Sequence, residues 1–198
     1  MSSIELRNLF GTNESEDTRH RVFISYHHEN DEKYKEAFEK DFGDLFINES
    51  VSDGDYKPDL SDEYVKHLIA KNNVALSTVV VVLIGKDTYK RKHVDWEISA
   101  GLDEENKCRA GLVGILLPTY YTNQTPRGLD DGYENIPERL QDNIKTGYAK
   151  LYSWFEVITK DSDGKYKIQK IIDEAFERKY NYNIISTNNR KQMEENKE

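Results

Sequence analysis

Cysteine is almost absent from this sequence of 198 residues, in which Cys108 is the only one. A single thiol cannot form an intrachain disulfide, and it cannot supply the several thiolates of a cysteine-based zinc site. A free thiol suits a reducing compartment. We therefore expect a cytoplasmic protein without a disulfide framework. His27, His28 and Glu29 hint at metal ligation, but no further ligands converge in the sequence, so we expect no metal site.

Long apolar segments are missing as well. The longest apolar run, residues 79–84, is far shorter than the roughly 20 residues that a membrane-spanning helix needs. Residues 1–20 are polar and acidic and lack the apolar centre of a signal peptide. We expect residues 1–20 to be a flexible N-terminal segment, and we do not expect the protein to interact with a membrane.

Positive charge is in deficit. The chain has 28 Lys and Arg residues against 37 Asp and Glu residues, which gives a formal net charge of −9. A nucleic-acid-binding surface needs clustered basic residues to displace the counterions of the phosphates, and no such basic stripe occurs here. Nucleic acid is therefore not an expected partner.

The sequence does contain short apolar runs that alternate with amphipathic segments. Strands are predicted over 21–26, 46–51, 76–85 and 110–117, and helices are predicted from Asn30, from Ser61 and over 94–102. The third strand, LSTVVVVLIG, is apolar without alternation, which is typical of a parallel strand covered on both faces. This series predicts a three-layer α/β fold, a parallel sheet with helices on both faces.

One domain over residues 21–180 suits the length of the chain. Within it, residues 119–160 are loop-rich and are predicted to form an insert or edge, with an edge strand over 148–155. A clean helical pattern follows over 168–176. Residues 181–198 are predicted to be a polar C-terminal tail, and we expect its last thirteen residues, which have no apolar face, to be disordered.

Ligands of an open parallel sheet bind in the crevice beyond the carboxyl ends of its strands. The residues that follow the predicted strands are therefore the candidate site residues: Ser25, Tyr26, His27, His28, Gly54, Trp96 and Glu97. Neither G-x-G-x-x-G nor G-x-x-x-x-G-K-[ST] is present, which argues against a Rossmann dinucleotide site and a P-loop. The third strand ends in Leu-Ile-Gly instead of the aspartate that a phosphoacceptor receiver domain needs.

Three segments resemble the TIR family, and more closely its bacterial TIR-like branch of the Thoeris antiphage system. RVFISY at 21–26 resembles the first TIR box, and residues 46–62 resemble the strand that enters a glycine-containing BB loop. The strand at 77–85 is followed by TYKRKHVDWEI at 88–98, which is similar to a T-x5-V-x-W-E-I block of this branch. The resemblance covers about residues 20–118. It departs at His93, where NAD-cleaving members often have Trp.

The resemblance implies an enzyme that cleaves NAD+, with NAD+ as its substrate and without a resident cofactor. It implies that Glu97 is the catalytic residue and that the product is a cyclic ADP-ribose-type signal, which activates a separate effector after phage infection. A phage-derived trigger and a homo-oligomer are further partners that it implies. Cleavage builds oxocarbenium character on the ribose, which a facing carboxylate can stabilise, and nicotinamide leaves as a neutral ring.

Each candidate residue also has a structural interpretation. Glu97 is alternatively a solvated helix glutamate, and Trp96 is better explained by core packing than by stacking on a base. Ser25 is a ribose ligand or the cap of the first helix, and His27 and His28 bind the pyrophosphate or lie on a loop surface. The main role expected for Gly54 is to supply the backbone conformation of a tight BB-loop turn, and ligand contact is secondary.

Two further functions stay open at this point. A catalytically silent TIR domain would assemble through its BB loop, and a nucleotide-binding regulator would hold a ligand without cleaving it. The retention of Glu97 at the catalytic position of the family favours the enzyme, since a scaffold has no need of that residue.

Overall fold

The computed structural model describes residues 19–50, 60–69, 71, 74–103, 109–123, 134–162, 164 and 166–198. Its strands are β1 (Arg21–Ser25), β2 (Ile47–Asn48), β3 (Val79–Ile84), β4 (Gly111–Leu116) and β5 (Ala149–Ser153). In the described part of the chain they form a five-stranded sheet of order β2-β1-β3-β4-β5, in which every pairing is parallel. The predicted parallel sheet is confirmed.

The helices are α1 (His28–Phe42), α2 (Asp62–Leu68), α3 (Lys92–Gly101), α4 (Glu138–Lys145), α5 (Trp154–Val157) and α6 (Lys167–Arg178). The side chain of Ser61 caps α2 by accepting a hydrogen bond from Tyr64, as the sequence indicated. Helix α1 starts earlier than the predicted Asn30, because the ring of His27 accepts a hydrogen bond from the Asn30 amide at 3.4 Å.

Two apolar cores lie on opposite faces of the sheet. Successive residues of β3 alternate between them: Val80, Val82 and Ile84 belong to one core, and Val79, Val81 and Leu83 belong to the other. Helices α2, α3 and α4 cover the first core, and α1, α5 and α6 cover the second. The continuous apolar run of β3 is thus buried on both faces, and the predicted three-layer α/β fold is confirmed.

The segment predicted as a loop-rich insert contributes regular structure to the domain. Strand β5 pairs with β4 at the edge of the sheet, where an edge strand was expected. Helix α4 lies within the same segment and buries Arg139, Leu140 and Asn143. The sequence did not reveal α4, because its eight residues include only two large apolar side chains, too few to show a helical period.

The C-terminal strap, which we define as residues 186–198, differs from the expected disorder. It has no regular secondary structure, yet it runs across α3 and α4 and forms hydrogen bonds with both helices. Polar contacts instead of an apolar face hold it in place, so the absence of hydrophobic periodicity was misleading.

Residues 1–18, most of the predicted flexible N-terminal segment, lie outside the described part of the chain, as does Cys108. Within the described ranges, every helix is too short or too polar to cross a bilayer.

The backbones of β4 and α6 approach closely at Gly111. A Cβ atom at Gly111 would collide with the backbone carbonyl of Ala175, which cannot move without shifting α6. Gly111→Ala should lower the free energy of unfolding by about 2 kcal/mol or more, as overpacking does. Gly43→Ala is the matched control, since a Cβ there meets no atom within 4 Å. Equal midpoints of the two variants in urea denaturation would contradict this packing.

Candidate active site

The order of the sheet determines where a ligand can enter. The chain passes from β1 to β2 on one side and then returns past β1 to β3 on the other. Strands β1 and β3 therefore flank the topological switch point, and ligands of open parallel sheets bind at this point beyond the carboxyl ends of the strands. Ser25 ends β1, and α3 follows β3 after a short 3-10 turn at Thr88–Lys90.

Ser25 and Glu97 meet at this point. The hydroxyl of Ser25 donates a hydrogen bond to Oε2 of Glu97 at 2.6 Å. Ser25 is fully buried and Glu97 is 2% exposed. The structure thus brings together two predicted site residues, and it excludes the alternative that Glu97 is a solvated helix glutamate. Ser25 does not cap α1, because His27 occupies that position.

Burial sets the protonation state of Glu97. Desolvation raises the pKa of Glu97 to about 8, and the hydrogen bond from Ser25 opposes this rise. Most Glu97 side chains therefore carry a proton at neutral pH. The site contains a neutral carboxyl group that a nearby positive charge could ionise.

The residues after Ser25 serve both packing and the site. Tyr26 is buried, stacks on the ring of His28 with a centroid distance of 4.4 Å, and donates its hydroxyl hydrogen bond to Glu32. His27 is also buried, so the surface-loop interpretation is wrong for this residue. Burial, followed by the charge of Arg91, lowers the pKa of His27 below 6.5, and its ring is neutral at pH 7.

His93 lies one helical turn before Glu97, on the same side of α3. Its ring packs against Trp96 at a centroid distance of 5.1 Å. Burial, followed by the charges of Lys92, His28 and Arg91, lowers the pKa of His93 to about 4. The position at which the sequence departs from the TIR resemblance therefore contains a neutral imidazole.

Trp96 is enclosed in the structure. It is 1% exposed, and the ammonium groups of Lys66 and Lys92 lie 4.6 and 5.1 Å from its ring centroid. Its indole N–H donates to the carbonyl oxygen of Met193 at 2.7 Å. These contacts favour the packing interpretation, and substrate binding by Trp96 stays a prediction. Gly54 lies outside the described residues.

Sequence reasoning missed a second buried carboxyl group, that of Asp31, which is 1% exposed. The hydroxyls of Thr88 and Thr119 each donate to it at 3.2 Å, so Asp31 links the segments that follow β3 and β4. Burial raises its pKa, and these hydrogen bonds oppose the shift. Gly85 leaves the room that this carboxyl group occupies. In the sequence, Asp31 is one acid in the charged stretch HENDEK, and no local pattern distinguishes it.

Sequence reasoning also missed the buried ion pair behind α3. Arg139 on α4 contacts Asp95 through two hydrogen bonds of 2.9 and 3.2 Å, and Arg139 is fully buried. The strap completes the pair, since Met193 donates its amide to Asp95 at 2.8 Å and Arg139 donates to Asn188 at 2.8 Å. These contacts fix α3, the helix that carries Glu97, against α4 and the strap.

The strap also holds the start of α3. The side chain of Asn196 accepts a hydrogen bond from the Lys92 amide at 2.9 Å, where α3 has no cap from its own N-cap side chain. The amide of Lys197 donates to the carbonyl oxygen of Lys90 at 2.9 Å. Among the residues that the structure describes, no three His, Cys, Asp or Glu side chains are grouped as metal ligands.

The sheet order defines a flavodoxin-like α/β domain, the class to which the expected TIR-like fold belongs. Comparison with protein families agrees: the family of the Thoeris protein ThsB, TIR-like domain, matches residues 23–121, which is half of the chain. The chain therefore belongs to the family of ThsB TIR-like domains. No protein with a curated description matches the chain significantly.

One similar solved structure is described as the activated Roq1 resistosome directly recognizing the pathogen effector XopQ (TIR domains). The match has 18% sequence identity and a TM-score of 0.35, and it covers 50% of this chain and 58% of that one. At this TM-score it adds no weight to the assignment.

The raised pKa of Glu97 predicts how stability depends on pH. The unfolded chain releases this proton near pH 4.5, whereas the folded chain holds it until about pH 8. The stabilising contribution is therefore complete below pH 4.5 and is lost as the pH rises through 8. Between these values, the free energy of unfolding of the wild type should fall relative to that of Glu97→Gln by about 1.4 kcal/mol per pH unit. Denaturant titrations at several pH values test this, and parallel curves would contradict it.

Removal of the strap should destabilise the domain. Deletion of residues 188–198 leaves buried Arg139 without its Asn188 acceptor and removes the Met193 contacts of Asp95 and Trp96. We expect the free energy of unfolding to fall by about 3 kcal/mol. Lys191→Ala is the control, because the ion pair that it forms with Glu194 is exposed and should be worth less than about 1 kcal/mol. An unchanged melting temperature after deletion would show that the strap adds nothing.

Proposed function

We propose that this protein cleaves NAD+ at the bond between ribose and nicotinamide, with Glu97 as the catalytic residue. The observation that carries the proposal is the buried Ser25–Glu97 hydrogen bond at the switch point of the sheet. Membership of the ThsB TIR-like family supports it, because Glu97 matches the catalytic position that the TIR resemblance implies.

The reaction requires little from the protein beyond one positioned carboxylate. The C1′–N1 bond breaks, its electron pair leaves with nicotinamide, and the ribose acquires oxocarbenium character. Ionised Glu97 stabilises that charge, and a nucleophile then attacks C1′. When the nucleophile belongs to the adenosine half of the same molecule, the product is a cyclic ADP-ribose. We propose such a product as an antiphage signal that acts on a separate effector.

The raised pKa of Glu97 predicts that the proposed enzyme has low activity in its resting state. With this pKa near 8, most molecules at pH 7 have a neutral carboxyl group. The positive nicotinamide ring of a bound substrate favours the ionised form and lowers this pKa. A trigger that changes the burial of Glu97, of phage origin or through self-association, would act on the same equilibrium.

Two observations favour the nucleotide-binding regulator. Glu97 is buried and protonated at neutral pH, and the neighbouring His93 replaces the Trp that NAD-cleaving relatives often have. A site of this kind could hold a nucleotide through neutral hydrogen bonds without cleaving it. Binding of NAD+ without turnover, even in the presence of a trigger, would support this second function.

Nicotinamide release tests the proposed reaction. The purified protein is incubated with NAD+, alone and with lysate of phage-infected cells, and nicotinamide is measured by chromatography. We expect Glu97→Gln to lower the rate at least 100-fold, since the amide cannot stabilise a cation by charge. Glu156→Gln, which changes an exposed glutamate on α5, is the matched control and should keep full activity. Full activity in Glu97→Gln would rule out the mechanism.

Ser25 should tune the pH profile of the reaction. Its hydrogen bond holds the pKa of Glu97 below the value that burial alone would give. Ser25→Ala should therefore shift the rising limb of activity against pH to higher pH, with the lost activity partly recovered in alkaline buffer. Ser25→Thr keeps a hydroxyl and should restore the original profile. A uniform loss at all pH values in Ser25→Ala would show that Ser25 acts in another way.

A further inference from the structure

A cleft of about 310 Å³ lies between the start of α3, the start of α4 and the strap. Neither Ser25 nor Glu97 lines it, although the charge of Arg91 also acts on His27 and His93. Asp95 lines the cleft, whereas Glu97 contacts β1. Residues two apart on a helix point to nearly opposite sides, so the cleft and Glu97 lie on opposite sides of α3. The charged residues that line it are Arg91, Asp95, Glu138, Arg190, Lys191 and Lys197.

Ion pairs neutralise nearly all of these charges. Glu138 binds both Arg190 and Lys197 at 2.7 Å, and Arg190 also binds Asp142 just outside the cleft. Lys191 pairs with Glu194. The remaining acid, Asp95, is paired with buried Arg139 as described above. Among the described residues, one charged side chain of the lining has no ion pair of its own, that of Arg91.

Arg91 is unusual among the arginines that the structure describes. Its guanidinium has no hydrogen bond and no ion pair within the described residues. Each of the other six has at least one side-chain hydrogen bond: Arg19, Arg21, Arg109, Arg139, Arg178 and Arg190. In a chain of net charge −9, this guanidinium beside a cleft is a local positive site that the described residues leave unneutralised.

We propose that this cleft binds a phosphate-bearing anion, with Arg91 as its anchor. The planar guanidinium presents paired donors that match two phosphate oxygens. Helix α4 begins at the cleft after Pro137 without a side-chain cap, and its first amides add partial positive charge. A volume of about 310 Å³ suits a small phosphorylated molecule and is at the low end for ligand pockets.

The proposed site couples to the strap. Arg91 and Asp95 come from α3 and the segment before it, and Arg190, Lys191 and Lys197 come from the strap. An anion bound between them would hold the strap against the helix that carries Glu97. This inference does not depend on NAD+ cleavage, because none of its residues takes part in the proposed reaction.

Titration of the full chain with inorganic pyrophosphate, followed by calorimetry, tests the site. We expect saturable binding to the wild type and binding at least tenfold weaker in Arg91→Gln. Arg21→Gln is the matched control, since Arg21 lies at the amino end of β1, whereas Ser25 lies at its carboxyl end. This variant should bind pyrophosphate as the wild type does. Equal affinity in Arg91→Gln, or a signal that never saturates, would overturn the proposal.

A second measurement does not require any variant to fold. In the wild type, the side-chain Nε–Hε resonance of Arg91 should shift during the titration, and an unmoved resonance would overturn the proposal. Glu97→Gln should bind pyrophosphate as the wild type does, and loss of binding there would place the anion at the other site instead. Absence of nicotinamide release together with intact pyrophosphate binding would reject the enzymatic proposal and leave this one standing.

Discussion

Helix α3 is mostly buried, and this enclosure constrains the polar chemistry of the domain. Seven of its ten residues are buried, although the segment includes charged and hydroxyl side chains. A buried polar group without a partner costs several kcal/mol, so each one needs a specific contact. Glu97 finds Ser25 on β1, and Asp95 finds Arg139 on α4. The two contacts hold opposite sides of the same helix.

Enclosure also connects the fold with the chemistry that we propose. A carboxyl group on an exposed helix would be ionised at pH 7 and would be one surface charge among many. Burial at the switch point instead keeps Glu97 neutral until a positive group approaches. The carboxyl ends of parallel strands are where ligands of such sheets bind. Position in the sheet and protonation state thus favour the same residue.

The match to the ThsB TIR-like family ends at residue 121, yet the structure continues well beyond it. Strand β5 completes the sheet, α4 supplies Arg139, and the strap covers the outer side of α3. The part of the chain after residue 121 therefore holds in place helix α3, which carries Glu97. Hydrogen bonds hold this later part in place. Their partners are buried polar groups of the earlier part of the chain, which would otherwise lack them.

The sequence by itself determined the sheet and its central candidate residue. The apolar run at 79–84 predicted a strand covered on both faces, and the resemblance of the block at 88–98 to TIR domains singled out Glu97. Tertiary structure alone decided that Ser25 is the partner of Glu97 and that the strap is ordered over Asp95. The reason is physical: apolar periodicity records which face of an element is buried, whereas a hydrogen bond between residues 72 positions apart leaves no local pattern.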